Sequence, residues 1–265
     1  MTSRTACMLG LAAALAVAAP LQAQNRGRGG PAGPPPTARA SAPIDLTGTW
    51  VSVITEDWRY RMVTPAKGDY QSVPMTPEAV KVADAWDPAA DEAAGNQCKA
   101  YGAAGILRLP TRLRVSWQDD QTLKLETDTG TQTRLFRFGP NPPKSGERTW
   151  QGDSTAQWEL PRSARGGGAG RAGGTPAPPK FGSLKAVTTN LRAGYLRKNG
   201  VPYSENATVT EYFDVAPQRN GDVMLVVTTV VEDAQYLTQP MIVNSQFKKE
   251  AGGAKWNPTP CSSTW

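Results

Sequence analysis

Alternation of apolar and polar positions dominates the chain after its first forty or so residues. From Trp50 to Met62 one set of alternate positions is mostly apolar and is interrupted by Ser52 and Glu56, as in a half-buried β-strand with a bend near Glu56. Similar short runs follow one another from Thr111 onward, separated by turn sequences such as Asn220-Gly221. About eight to ten such runs predict a mainly β fold.

One helical excursion interrupts this pattern. Thr76 and Pro77 form an N-cap and first-turn pair, and apolar residues then recur at helical spacing through Trp86. We therefore predict a short helix over residues 77–86. Strands joined by tight turns are antiparallel neighbours, and closing the sheet removes its open edges. The expected fold is an antiparallel meander closed as a barrel, or a two-layer sandwich, with one short helical excursion.

The amino terminus has a different pattern. Arg4 precedes an apolar run from Met8 to Leu21, and small residues follow up to Ala23. These features predict a cleavable signal peptide over residues 1–23, with cleavage near Ala23. The apolar run is shorter than the ~20 residues that a membrane-spanning helix needs, so we expect no membrane span. The mature protein is expected to be periplasmic or secreted.

Two tracts contain too few apolar residues to form a packed structure. Residues 24–43 are rich in Gly, Pro and Arg, and we expect a disordered leader there. Residues 162–180 are rich in Gly, Ala and Pro, which predicts a flexible insertion. The remaining sequence is expected to form a single β domain over residues 44–265.

The charge of the chain is concentrated in these tracts. The formal net charge is +6, but the signal peptide, leader and insertion contain eight of the 29 basic residues and none of the 23 acidic ones. The rest of the chain has 21 basic against 23 acidic residues, a net charge of −2. Because the basic excess lies outside the folded part, we predict no nucleic-acid partner.

The cysteines fit an oxidising compartment. Cys98 and Cys261 remain after removal of the signal peptide, and an isolated pair in an exported protein usually forms a disulfide. The two cysteines are far apart in sequence, unlike the Cys-x-x-Cys spacing of redox sites. We predict a structural disulfide that ties the carboxyl-terminal tail to the loop after the helical region.

Histidine is absent from the sequence. This absence excludes Ser-His-Asp and Cys-His nucleophile systems, His-ligated zinc and the commonest proton shuttle at neutral pH. A Ser-Lys pair or two carboxylates remain open as an alternative, although no nucleophile motif is recognisable. We therefore favour a protein without enzymatic activity, and predict no catalytic residue, no metal site and no cofactor.

The aromatic residues suggest a binding site. Trp50, Trp58 and Tyr60 share one face of the predicted first strand with Glu56, while Arg61 lies on the opposite face together with Val51 and Val53. An inward-facing group of this kind would form an aromatic pocket that contains one acid. The alternative is that the rings fill the core of a barrel.

The opening of the domain resembles that of the lipocalins. Residues 45–50 have the sequence Asp-Leu-Thr-Gly-Thr-Trp, which is similar to the Gly-x-Trp signature of the first lipocalin strand. The resemblance implies an up-and-down barrel whose cavity binds small apolar molecules, with Trp50 closing one end. In the family an Arg of the last strand packs on this Trp, and the nearest basic residues here are Lys248 and Lys249.

The whole mature chain also resembles a group of uncharacterised secreted bacterial β-domain proteins. The matching elements follow the Gly-x-Trp opening in order: Asp87-Pro88, Cys98 with Gly102, Trp150-Gln151-Gly152, and Val231-Glu232-Asp233. This resemblance implies a secreted β domain and does not imply any particular activity.

We therefore expect a lipocalin-like exported protein that binds a small hydrophobic or amphipathic molecule without turnover. Trp50, Glu56, Trp58 and Tyr60 are the candidate pocket. The alternative is a non-catalytic envelope interaction or structural module, with a filled interior and a function carried by surface loops such as residues 165–179. Oligomeric state is not predicted.

Overall fold

The computed structural model of the protein describes residues 35–140, 142–161 and 181–264. The predicted signal peptide, residues 24–34 of the leader and the insertion at 162–180 lie outside these ranges. A compact unit begins at Pro36, so ordered structure starts before the expected boundary at Ile44.

Eleven strands and three short α-helices make up the described residues. The strands are β1 Gly48–Val53, β2 Arg112–Asp119, β3 Thr122–Thr127, β4 Thr133–Phe138, β5 Asp153–Glu159, β6 Ser183–Thr189, β7 Gly194–Tyr195, β8 Pro202–Tyr203, β9 Thr208–Pro217, β10 Val223–Glu232 and β11 Met241–Glu250. The helices are α1 Trp58–Arg61, α2 Pro77–Asp84 and α3 Pro88–Ala93, followed by 3-10 turns at Lys99–Tyr101 and Ile106–Arg108.

Nine of the strands close into one barrel in the order β1-β11-β10-β9-β6-β5-β4-β3-β2. The seam between the first and last strands pairs Trp50 with Lys249 and Val53 with Gln246. The expected closed β barrel with a short helical excursion is thus confirmed. Closure leaves none of these nine strands with an unpaired edge.

One strand pair differs from the expected antiparallel meander. β4 and β5 are parallel, with Phe136 opposite Ser154 and Phe138 opposite Ala156. A parallel neighbour cannot follow through a tight turn. Residues 139–152 therefore return along the length of the barrel before β5 begins. An odd number of strands requires one such parallel pair, whereas an even-stranded up-and-down barrel has none.

The predicted long strand from Trp50 to Met62 is wrong beyond Val53. Asp57 adopts a left-handed backbone conformation with φ of 51°, and α1 begins at the next residue. Aspartate tolerates this conformation better than most residues because its short side chain can form local hydrogen bonds. The alternation of apolar residues therefore continues into a helical turn.

The predicted helix over residues 77–86 corresponds to α2. The Thr76 side chain accepts a hydrogen bond from the backbone N–H of Ala79 at 3.2 Å, and Pro77 occupies the first helical position. Asp87 caps α3 in the same way. Within the described ranges, no helix is both long and apolar enough to cross a membrane.

Side chains fill the barrel interior. The inward-facing rings and aliphatic groups of the strands pack into one apolar core, which includes Trp50, Leu113, Leu125, Phe136, Phe213, Leu225 and Phe247. Phe136 and Phe213 meet edge to face at 5.3 Å between ring centres. Interiors packed in this way leave few voids larger than a water molecule.

Residues 36–46 cover the end of the barrel at which β1 begins, which we name the capped end. Ala38 is only 6% exposed, and its carbonyl accepts a hydrogen bond from the Trp158 indole at 2.8 Å. The Trp50 indole donates to the Leu46 carbonyl at 2.9 Å. Trp158 also packs with Trp117 and Phe138, so an aromatic cluster closes this end.

Two loop segments fill the opposite end, which we name the plugged end. Residues 99–109 and 191–207 contribute Ala103, Leu196, Val201 and Tyr203 to a second apolar core. This core packs on Val209, Val231 and Met241, which lie where β9 begins, β10 ends and β11 begins. The barrel is therefore closed at the end where its loops are longest.

A buried ion pair lies inside the barrel wall. Arg134 of β4 donates to both carboxylate oxygens of Glu211 of β9, at 2.8 and 2.5 Å, and both side chains are completely buried. Arg134 also donates to the Thr188 hydroxyl, which is hydrogen-bonded to Ser154. Because a buried charge is tolerated only when it is paired, the two residues stabilise each other's burial.

Candidate functional site

The four predicted pocket residues do not lie together in the structure. Trp50 is completely buried in the barrel core, with Lys249 at 5.2 Å from its ring where lipocalins place an arginine. Trp58 lies on α1 and is 67% exposed. Glu56 and Tyr60 lie near it at the plugged end. Because the chain turns at Asp57, Trp50 and Trp58 no longer share one face.

A small cleft opens at the plugged end beside α1. The centre of a water molecule can occupy about 20 Å³ within it, and its lining residues are Tyr60, Arg61, Arg108, Leu109, Leu196, Arg197, Lys198 and Met241. No lining residue is acidic. We name it the arginine cleft.

Arg108 is the anchored member of the cleft. Its guanidinium donates to Asp57 at 2.6 Å, to Glu56 at 3.3 Å and to the Asn244 carbonyl at 2.9 Å. The left-handed conformation of Asp57 thus both starts α1 and directs a carboxylate to this guanidinium. The backbone carbonyl of Arg108 in turn accepts a hydrogen bond from Nε of Arg61 at 2.8 Å.

Arg61 and Arg197 are less well compensated. They are 2% and 8% exposed, and no acceptor among the described residues bonds Nη1 or Nη2 of Arg61 or Nη1 of Arg197. The Arg197 guanidinium lies 4.3 Å from the centre of the Tyr60 ring, a cation–π contact. The Tyr60 hydroxyl is hydrogen-bonded to Gln71 at 2.8 Å.

Burial shifts the pKa values of these cations downward. Burial, and then the charge of Arg108, lower the pKa of Arg61 to about 10 against the opposing effect of Glu56 and Asp57. The pKa of Arg197 is lowered chiefly by burial. Burial also lowers the pKa of Lys198 to about 8. The cleft therefore holds positive charge in an environment that disfavours it.

Apolar side chains are exposed next to the cleft. Trp58, Met62 and Val63 are all at least 49% exposed, and they flank Tyr60 and Arg61 in one continuous segment of chain. An exposed tryptophan beside two exposed aliphatic groups is unusual on a surface that binds nothing. The same short segment thus presents apolar groups outward and polar groups to the cleft.

A second polar cluster lies near the first. Asp91 of α3 accepts hydrogen bonds from Lys99 at 2.6 Å and from the Tyr195 hydroxyl at 2.7 Å. Burial and the Asp91 carboxylate raise the pKa of Tyr195, so this phenol is a poor proton donor or base near neutral pH. The cluster joins the helical region to β7 and explains the position of Asp91 without a metal ion.

The cysteines form the predicted disulfide between Cys98 and Cys261. The tail that it anchors makes further hydrogen bonds. The Ser262 N–H donates to the Tyr101 hydroxyl at 3.2 Å, and Thr259 N–H donates to the Asp128 carbonyl at 2.9 Å. The tail therefore supports the loops that fill the plugged end.

The remaining buried carboxylates have structural partners. Glu211 binds Arg134, and Asp128 accepts hydrogen bonds from the Arg112 N–H and the Thr111 hydroxyl. Asp153 accepts from the Ser145 hydroxyl and the Asn190 amide, and Asp233 accepts from the Ser204 hydroxyl. Comparison of the chain with protein-family models, curated proteins and solved structures found no match. Its function must therefore be inferred from the site.

Proposed function

We propose that the protein is an exported, lipocalin-like binding protein that holds a small amphipathic molecule at the plugged end of its barrel without chemical turnover. The observation that carries this proposal is the dual character of residues 58–63. This segment exposes Trp58, Met62 and Val63 and contributes Tyr60 and Arg61 to the arginine cleft. The apolar part of an amphipathic ligand would contact the exposed apolar residues, and its polar part would enter the arginine cleft.

The filled barrel interior supports a ligand site on the surface of the plugged end. We call the exposed residues Trp58, Met62 and Val63, together with the adjoining arginine cleft, the rim. The interior volume of the barrel is occupied by Trp50, Phe136, Phe213 and their neighbours, and both ends are covered. A purely hydrophobic ligand would need an apolar cavity, whereas three clefts of the described residues that are larger than the arginine cleft are open to solvent and are lined by polar and apolar groups together. The apolar-plus-basic rim therefore favours an amphipathic ligand over a purely hydrophobic one.

Export is part of the same proposal. The sequence pattern of residues 1–23 and the disulfide between Cys98 and Cys261 both support a periplasmic or extracellular location. The expected absence of histidine-based catalysis supports binding without turnover.

Native mass spectrometry of the protein purified from its own host tests the proposal. We expect a discrete added mass that Trp58→Ala removes, because this substitution deletes the largest exposed apolar group of the rim. Phe181→Ala is the matched control, since Phe181 is 58% exposed near the start of β6, at the opposite end of the barrel. An added mass that survives Trp58→Ala would contradict the proposed site.

The filled interior also favours a second candidate, the non-catalytic envelope interaction module. Its proposed loop at residues 165–179 lies outside the described residues. A bare mass in the same experiment, together with a protein partner captured by cross-linking in the host, would favour this candidate over a ligand carrier.

A further inference from the structure

We propose that the arginine cleft is a phosphate-binding site, and that the ligand of this protein carries a phosphate group there. The inference rests on the proposed function and names the charged part of its ligand. The donors come from two segments that are distant in sequence, Arg61 on α1 and Arg197 between β7 and β8.

The charges around the cleft do not balance. Four cationic residues line it, namely Arg61, Arg108, Arg197 and Lys198. The carboxylates beside the arginines are Glu56 and Asp57, and both bind Arg108. A third nearby carboxylate, Asp69, already pairs with the exposed Arg59 at 2.6 Å. Two buried guanidinium groups are therefore left with only indirect compensation, and a buried cation without a counter-charge is strongly unfavourable. An anion bound between them supplies that counter-charge.

The free donors match the geometry of phosphate. Nη1 and Nη2 of Arg61 and Nη1 of Arg197 are three N–H-bearing atoms without an acceptor among the described residues. A phosphate ester offers three peripheral oxygens that point in different directions, whereas a carboxylate offers two in one plane. Guanidinium groups from two different segments therefore suit phosphate better than carboxylate.

The apolar rim defines what the phosphate is attached to. Tyr60 and Arg61 line the cleft, exposed Trp58 precedes them in the same helix, and exposed Met62 and Val63 follow them directly in the sequence. A ligand whose phosphate enters the cleft places its attached chain against these residues. We therefore infer a phosphate ester with an apolar chain, distinct from free inorganic phosphate.

Isothermal titration calorimetry of the full mature protein, with inorganic phosphate and with a short-chain phosphatidic acid below its micelle concentration, tests this inference. We expect both to bind, and the lipid at least about tenfold more tightly because only it contacts the apolar rim. Arg61→Met and Arg197→Met are each expected to weaken both affinities at least about tenfold. Arg59→Met, which removes an exposed charge from the same helix, is the control and should change them less than about twofold.

The outcomes separate the two proposals. If inorganic phosphate binds and the affinity for phosphatidic acid is no higher, the result would support the phosphate site and contradict the amphipathic ligand. Tighter binding of an acetate or a fatty acid than of phosphate would overturn the phosphate assignment and leave the amphipathic ligand intact. Absence of phosphate binding to the wild type, or unchanged affinity in a folded Arg197→Met variant, would overturn the inference. The Arg197 variant decides the matter if Arg61→Met does not fold.

Discussion

Burial in the folded protein disfavours the positive charge of Lys198. Replacing Lys198 with methionine should therefore raise the free energy of unfolding by an amount that depends on pH. The side chain is 3% exposed, and its ammonium lies 4.9 Å from the centre of the Tyr101 ring. Burial lowers its pKa from 10.5 to about 8. Methionine has a similar length and carries no charge, so Lys198→Met removes the titration with little change in packing.

The size and sign of the effect follow from the two pKa values. Below pH 8 the lysine is protonated in the folded and unfolded states, and the shift corresponds to about 3 kcal/mol of destabilisation relative to the neutral amine. Between pH 8 and 10.5 the unfolded chain keeps a proton that the folded protein has lost, so the free energy of unfolding rises with pH. Above 10.5 neither state is protonated and this contribution vanishes.

Urea unfolding followed by tryptophan fluorescence measures this difference. At pH 7 we expect the free energy of unfolding of Lys198→Met to be about 2–3 kcal/mol higher than that of the wild type. This difference should decrease by about 1 kcal/mol or more by pH 9.5. Lys67→Met, at an exposed lysine, is the control and should show no such trend. A wild type that is more stable than Lys198→Met at pH 7, or a difference that is constant with pH, would refute the reasoning.

Three further predictions concern stability, each measured by urea or thermal unfolding. Glu211→Leu should cost about 3–5 kcal/mol because it leaves Arg134 buried without its partner, and adding Arg134→Met should recover most of this loss. Removing the disulfide with Cys98→Ala and Cys261→Ala should cost about 2–5 kcal/mol, since the bridge closes a loop of 163 residues. Gly130→Ala should cost about 2 kcal/mol or more, because the added Cβ would lie 2.2 Å from a buried tyrosine ring and φ is 77°. Full stability in any of these variants would contradict the corresponding contact.

The barrel strands were predictable because their signal is local. Each strand has one face in the core, so alternation alone predicts strands over residues 134–138, 223–231 and 241–247. These lie within a few residues of the observed bounds of β4, β10 and β11. Pairing is not a local property. Nothing in the alternation of β4 or β5 indicates that the two lie parallel, and β7 and β8, at two residues each, are too short to show a period.

The candidate site was only partly predictable. Tyr60, Glu56 and exposed Trp58 were singled out from a strand pattern, and all three lie at the plugged end. Arg61 lies at the other parity of that pattern and was not singled out, yet it is buried. Its burial depends on the helical turn after Asp57 and on contacts with segments far away in sequence, such as Arg108. Alternation carries no information about either.

The two kinds of buried arginine in this protein support different conclusions. Arg134 has both Nη atoms bonded to Glu211 and Thr188, so its position is explained by the stability of the barrel. Arg61 has the reverse arrangement, because Nε is bonded and both Nη atoms lack an acceptor. An apolar side chain of similar volume would fill the position of Arg61 without the cost of burying a charge. The ion pair with Glu211 therefore accounts for the burial of Arg134, whereas no partner of this kind accounts for that of Arg61. In our proposal an anionic ligand at the plugged end supplies this compensation.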